Sequence, residues 1–192
     1  MERKKHASIL RGTRKIHRLM GISLFLFFMI VSLSGILLGW KKNSNGLILP
    51  QSYHGTSTNL DNWLSFDSLH IIACNVLHDS VDSNLSLELE RIDARPKKGM
   101  VKFVFIDHYW GVQIDATTGD LLHIERRHSD FIENIHDGSI LDYLFNTKGE
   151  ILKLIYTSIM GLSLLLFTVT GFWLWCGPKI MRKKTKFHEK NS

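Results

Sequence analysis

The side chains in this sequence with the widest chemical range are its histidines, 10 in 192 residues. A neutral imidazole offers one nitrogen lone pair to a metal or a proton and one N–H to an acceptor. His17 stands in the run Arg14-Lys15-Ile16-His17-Arg18-Leu19-Met20-Gly21, at the edge of a long apolar stretch. On a helix, His17, Gly21, Leu24, Phe28, Val31 and Gly35 fall along one stripe, and small residues there let a flat ligand or another helix come close. An imidazole in that place suits axial ligation of a haem iron. From spacing alone it reads first as an interfacial residue among lipid headgroups beside Arg14 and Arg18. His136, in Ile135-His136-Asp137-Gly138, reads first as an ordinary polar residue at a helix end.

Other chemistry is poorly supported. His108, His123 and His128 lie in or beside predicted strands, and no pair among them has a spacing specific for zinc or copper; metal binding there stays open. The sequence has no GxSxG, HExxH, Walker loop or dinucleotide fingerprint. Asp107, Asp115 and Asp120 are turn acids before they are catalytic carboxylates. Cys74 and Cys176 form no CxxC motif, and the expected topology puts a membrane between them, beyond disulfide reach.

The elements that must position the histidines are dominated by two apolar runs. Residues 19–40 and 154–175 are each 22 residues long without a charge, and both close on tryptophan. A helix of that length just covers a hydrocarbon core of about 30 Å. The first run ends on Trp40-Lys41-Lys42, an aromatic and basic border, with no small-residue cleavage site. It reads as a retained transmembrane helix. The runs also echo each other: Met20-Gly21-Ile22-Ser23-Leu24 matches Met160-Gly161-Leu162-Ser163-Leu164, and Ser34-Gly35 matches Thr170-Gly171. Duplication and convergent membrane composition explain the echo equally well.

Charge sets the expected topology. Residues 1–40 hold seven Lys/Arg against one acid, residues 41–150 ten against sixteen, and residues 151–192 seven against one. The basic segments flank the spans, facing anionic lipid, so the pI of about 9.4 points away from nucleic acid. The expected divisions are a basic cytoplasmic N-terminus (1–18), a first span (19–40), an extracytoplasmic domain (41–150), a second span (151–176) and a basic cytoplasmic tail (177–192). That tail reads as disordered or lying on lipid.

Within the central domain, residues 41–58 read as linker and loop. Residues 60–76 show apolar positions at helical spacing, with Asn59 as the expected cap. Residues 85–93, 100–106, 110–115 and 121–126 read as strands, with a slip near Arg91. The fold class is therefore membrane α+β: one helix on a four-stranded antiparallel meander between two spans, the sheet's acidic outer face in water. A short helix is expected over 129–138, with Phe131, Ile132 and Ile135 inward and Gly138 as its stop.

Five stretches, in order, resemble PepSY-associated transmembrane proteins: the Lys15-Ile16-His17-Arg18-x-x-Gly21 opening, residues 34–40 (SGILLGW), residues 110–121 (WGVQIDATTGDL), residues 130–138 (DFIENIHDG) and residues 170–175 (TGFWLW). The resemblance covers nearly the whole chain and is weakest over 43–84. It implies an outward PepSY-like domain and a bacterial inner-membrane location. Larger members include proteins linked to ferric-siderophore reduction and iron uptake that carry b-type haem between membrane helices. By that resemblance His17 and His136 are the candidate cofactor-binding residues, and a haem-dependent ferric reductase component is the expected enzyme class. The larger members have more spans and more histidines than this chain.

With His17 at the inner border and His136 at the outer side, the two lie about 30 Å apart and cannot share one haem within a monomer. A homodimer would pair like with like on each side. The resemblance also supports a non-enzymatic alternative, a tethered module that contacts or restrains an extracytoplasmic protein such as a peptidase. A third expectation is an accessory subunit of a larger reductase or transporter.

Overall fold

The protein is described from a computed structural model that covers residues 2–190, with side chains over residues 5–180. It divides into two compact units, Met1–Ser34 with Asn134–Ser192, and Gly35–Glu133.

The first unit contains most of α1 (Glu2–Trp40), α4 (Ser139–Phe145) and α5 (Ile151–Lys190). Two helical stretches are long and apolar enough to cross a membrane, Lys5–Asn43, which is α1 with the short turn that follows it, and Ile151–Ile180 of α5. Only 6% of each apolar window is buried inside the protein. A core helix of a soluble domain would be mostly covered; these side chains face outward and need an apolar solvent. The helix expected to stop near residue 176 instead runs on through Pro178 to Lys190. Proline removes one N–H donor from the ladder and crowds the preceding turn, and the helix nonetheless continues past it, so the tail's first part is helical rather than irregular. Residues 191–192 of that tail lie outside the described residues.

The second unit is built on a sheet in the order β1-β2-β3-β4, all antiparallel: β1 (Leu89–Arg95), β2 (Met100–Phe105), β3 (Trp110–Asp115) and β4 (Leu121–Arg126). The meander expected from alternation is present, and the slip near Arg91 is a register shift between Leu89 and Arg91. The first strand begins later than expected, at Leu89 rather than residue 85. On one face Val101, Phe103, Phe105, Val112 and Ile114 are buried against Leu69, Ala73 and Leu77 of α2 (Phe66–Ser80). Each leucine so covered is worth about 1.5–3 kcal/mol.

Three expectations are corrected here. The helix does not start at residue 60. Asn59 caps only a short turn, Leu60–Asn62, and Ser65 caps α2 by accepting from Ser68 N at 3.2 Å. Residues between them are held extended because Leu64 N donates to Ala116 O and Trp63 Nε1 to Ser57 O. Phe131 of α3 (His128–Asp137) is 43% exposed rather than inward, its ring edge-on to Tyr109.

The largest correction concerns the second face of the sheet, which is not in water. Lys102, Gln113 and Glu125 are buried there, with Met100 and Val104. The segment that reads as linker lies over this face: Gln113 donates to Gln51 O and accepts from Tyr53 N, while the Tyr53 ring packs on His123. Thr56 donates to Asp115 from both N and Oγ1. Gly55 meets Gly99 so closely that a Cβ at either glycine would strike the other segment's backbone. Gly99 also has φ 65°, a left-handed conformation that glycine adopts without cost.

The covered face is charged, so each group needs a partner. Lys102 Nζ donates to Glu125 Oε1 at 2.5 Å, and Gln113 Nε2 donates to Glu125 Oε2 at 2.6 Å. Burial pushes the Lys102 ammonium below the ordinary lysine value, against the opposing bond and charge of Glu125.

Candidate functional site

Two histidine–hydroxyl contacts lie along α1. At the first, His17 Nδ1 lies 2.8 Å from Thr170 Oγ1 of α5. The imidazole stacks on Phe167, ring centroids 4.0 Å apart and planes 26° apart, and Phe28 meets that same phenyl ring edge-on. Two glycines make the approach possible. A Cβ at Gly21 would stand 3.3 Å from Phe167 Cε2, and one at Gly171 would stand 3.4 Å from His17 Cε1. The stripe of His17, Gly21 and Phe28 seen in the sequence is thus the side of α1 that meets α5.

The second place is at the far end of the span. Ser34, 5% exposed, lies with Oγ 2.9 Å from His136 Nδ1. From His17 to Ser34 the helix rises about 26 Å at about 1.5 Å per residue. The two imidazoles therefore stand at opposite ends of the helix pair. No residue brings them together.

His136 is held by the turn that follows it. Gly138, at φ 83°, breaks the chain between α3 and α4, and a Cβ there would run into the Tyr156 ring. Asp137 accepts from Ser139 N at 2.9 Å and pairs with Lys153 Nζ at 3.1 Å. Asp142 caps α5 by accepting from Leu152 N at 3.0 Å and Lys153 N at 2.7 Å, and it also takes the Thr147 hydroxyl. Burial pushes both carboxyls up, but these bonds outweigh it and each titrates below the ordinary aspartate value. Beside this turn an apolar cleft of about 230 Å³ is lined by Leu24, Phe27, Leu141, Tyr156, Ile159 and Met160, among others.

The family model described as "PepSY-associated TM region" matches residues 14–192. The chain belongs to that family. Comparisons with curated proteins and with solved structures give no match. As a PepSY-associated TM region with two outward-facing apolar helices, it is a membrane protein whose spans meet lipid.

Within this PepSY-associated chain the two histidines singled out by sequence, His17 and His136, each sit in a defined polar contact. The other candidates do not converge: His108 bonds Ser86 O, His123 packs on Tyr53, and no group of three or more His, Cys, Asp or Glu side chains assembles among the described residues. That excludes neither site from binding a group that needs one imidazole per chain. Sequence reasoning missed Thr170 and Ser34. The signal was present, because the repeated Ser34-Gly35 and Thr170-Gly171 pairs are the two hydroxyl positions that meet histidine.

Proposed function

We propose that this PepSY-associated protein is a haem-b-linked electron-transfer component of the bacterial inner membrane, serving reduction of ferric siderophores and iron uptake. His17 and His136 are its haem ligands. The observation that carries the reading is the pair of half-buried imidazoles at opposite ends of the helices. Each is engaged through Nδ1, and neither makes a hydrogen bond through Nε2 among the described residues. The donor set suits a haem iron in that each site offers one imidazole nitrogen; at His17 the ring stacks on Phe167, and the spaces at Gly21 and Gly171 are filled by Phe167 and His17 themselves. Bound there, a haem supplies one-electron iron chemistry. The chain's own part is to hold and orient the imidazoles.

The basic flanks favour cytoplasmic termini, with the PepSY-like domain of residues 41–150 outside. His17 then lies near the inner leaflet and His136 near the outer one. A homodimer would supply two imidazoles on each side, each pair able to hold a haem that would provide one-electron chemistry at its level.

The test is a reduced-minus-oxidised absorption spectrum of the protein purified in mild detergent. A Soret band with sharp reduced α and β bands, weakened by His17→Ala and by His136→Ala, is expected. Absence of haem, before and after reconstitution with hemin, would overturn the reading.

One observation favours a second reading, a tethered binding module that contacts or restrains an extracytoplasmic protein such as a peptidase. Leu60, Phe66 and Ile71 place large apolar side chains on the exposed side of α2 and the turn before it. On that reading Phe66→Asp with Ile71→Asp abolishes partner capture, and both histidine variants leave it unchanged.

A further inference from the structure

We infer that Thr170 and Ser34 fix the tautomers of His17 and His136, so that each ring carries its proton on Nδ1 and presents the Nε2 lone pair as the ligand. The identity of the ligated group, a haem iron, rests on the function proposed above; the tautomer assignment does not.

The argument follows the hydroxyl protons. Thr170 Oγ1 lies 2.7 Å from Leu166 O and 3.1 Å from Phe167 O. Ser34 Oγ lies 2.7 Å from Ile30 O and 3.2 Å from Val31 O. A carbonyl oxygen can only accept, and it has a second lone pair beyond the one used in the helix ladder. The single hydroxyl proton must therefore lie between the two oxygens. If it pointed to the histidine instead, two oxygen lone pairs would face each other at 2.7 Å with nothing between them.

With its proton so used, each hydroxyl has only lone pairs left for the imidazole. The contacts at 2.8 Å and 2.9 Å then need a donor from the ring, and that donor is Nδ1–H. A neutral imidazole protonated at Nδ1 has its free lone pair on Nε2. Metal-binding histidines are oriented in this way, with the non-ligating nitrogen donating to an acceptor that fixes the tautomer and raises the basicity of the other.

The same device occurs twice, in the same sequence context. Each hydroxyl precedes a glycine, each bonds back to its own helix, and each meets a histidine from another helix: Thr170 of α5 meets His17 of α1, and Ser34 of α1 meets His136 of α3. The echo between the two apolar runs thus has a chemical content that composition alone does not require. Thr170 and Ser34 are positioning residues, acting on the group through the rings they hold.

The test uses full-length protein with ¹⁵N-labelled histidine in detergent micelles, free of hemin, read by ¹⁵N NMR of the imidazole nitrogens. His17 and His136 are expected with Nδ1 protonated and Nε2 bare. Thr170→Val keeps the shape, removes the hydroxyl and moves the His17 proton off Nδ1; Thr170→Ser restores it. Ser34→Ala does the same for His136 alone. Hemin affinity is expected to fall about ten- to a hundredfold in Thr170→Val and to return in Thr170→Ser. A proton on Nε2 in the wild type, or a tautomer that ignores Thr170→Val, would overturn the inference. A tautomer that responds as expected in a protein that takes up no hemin would end the haem reading and leave the positioning role standing.

Discussion

The two units differ in their polar groups, although the sheet unit also leaves His70 Nε2 and Thr117 Oγ1 buried without a partner. In the sheet unit every charge on the covered face is matched. Lys102 and Gln113 share Glu125; Arg127 and Arg91 share Asp130; and Thr56 and Thr117 bond Asp115. In the helix unit His17 and His136 are each matched at Nδ1 and unbonded at Nε2 among the described residues. A paired network of this kind fixes strand register and the path of the covering segment. A half-used imidazole in apolar surroundings contributes little to folding and retains a donor atom for something else.

The contrast makes Glu125→Ala the most damaging single change. It leaves Lys102 buried without its counter-charge, and removing one member of such a pair costs about 3–5 kcal/mol. Chemical unfolding of the full-length protein should show that loss. His17→Ala in the same assay should cost less, about 1–2 kcal/mol for a lost hydrogen bond and ring contact, while removing hemin binding at its site. Equal costs for the two variants would erase the distinction.

Gly21→Leu comes next, at about 1–3 kcal/mol for overpacking against Phe167. The measurement is thermal unfolding in detergent. A neutral result would show that the two helices are not seated as closely as the His17 site needs.

The smallest effect is that of acid on Asp130. Burial pushes its carboxyl up, but the bonds and charge of Arg127 and then the charge of Arg91 prevail, and it titrates below the ordinary aspartate value. A depressed carboxyl contributes stability that is present above the unfolded pKa of about 3.9 and is lost as pH falls through the lower folded value. Asp130→Asn should therefore cost stability at pH 7, and the difference from wild type should shrink steadily below about pH 4. A difference independent of pH would mean that the guanidinium pairs do not stabilise the ionised form.

Much of this was readable from residue order. Strands β3 and β4 fall where alternation places them, because Trp110, Val112 and Ile114 face one side and the turns flanking them are rich in Asp and Gly. The late start of α2 was hidden, since Leu60, Trp63 and Leu64 keep a helical spacing and only tertiary bonds to Ser57 and Ala116 hold them extended. The covered polar face was hidden for the same reason. Lys102, Gln113 and Glu125 look like the outer side of a solvated sheet until the segment through Gln51 and Tyr53 is laid over them. For the candidate site, His17 and His136 were legible by type and place. Their hydroxyl partners were not, because Ser34 and Thr170 lie 102 and 153 residues away along the chain.

The most direct test of the central claim is an absorbance titration of the full-length protein with hemin, comparing wild type, His17→Ala, His136→Ala and the double variant. With paired imidazoles at both levels of a dimer, wild type should bind one hemin per chain. Each single variant should bind one per two chains, and the double variant none. A wild type that binds no hemin, or a double variant that binds as well as wild type, would contradict the account.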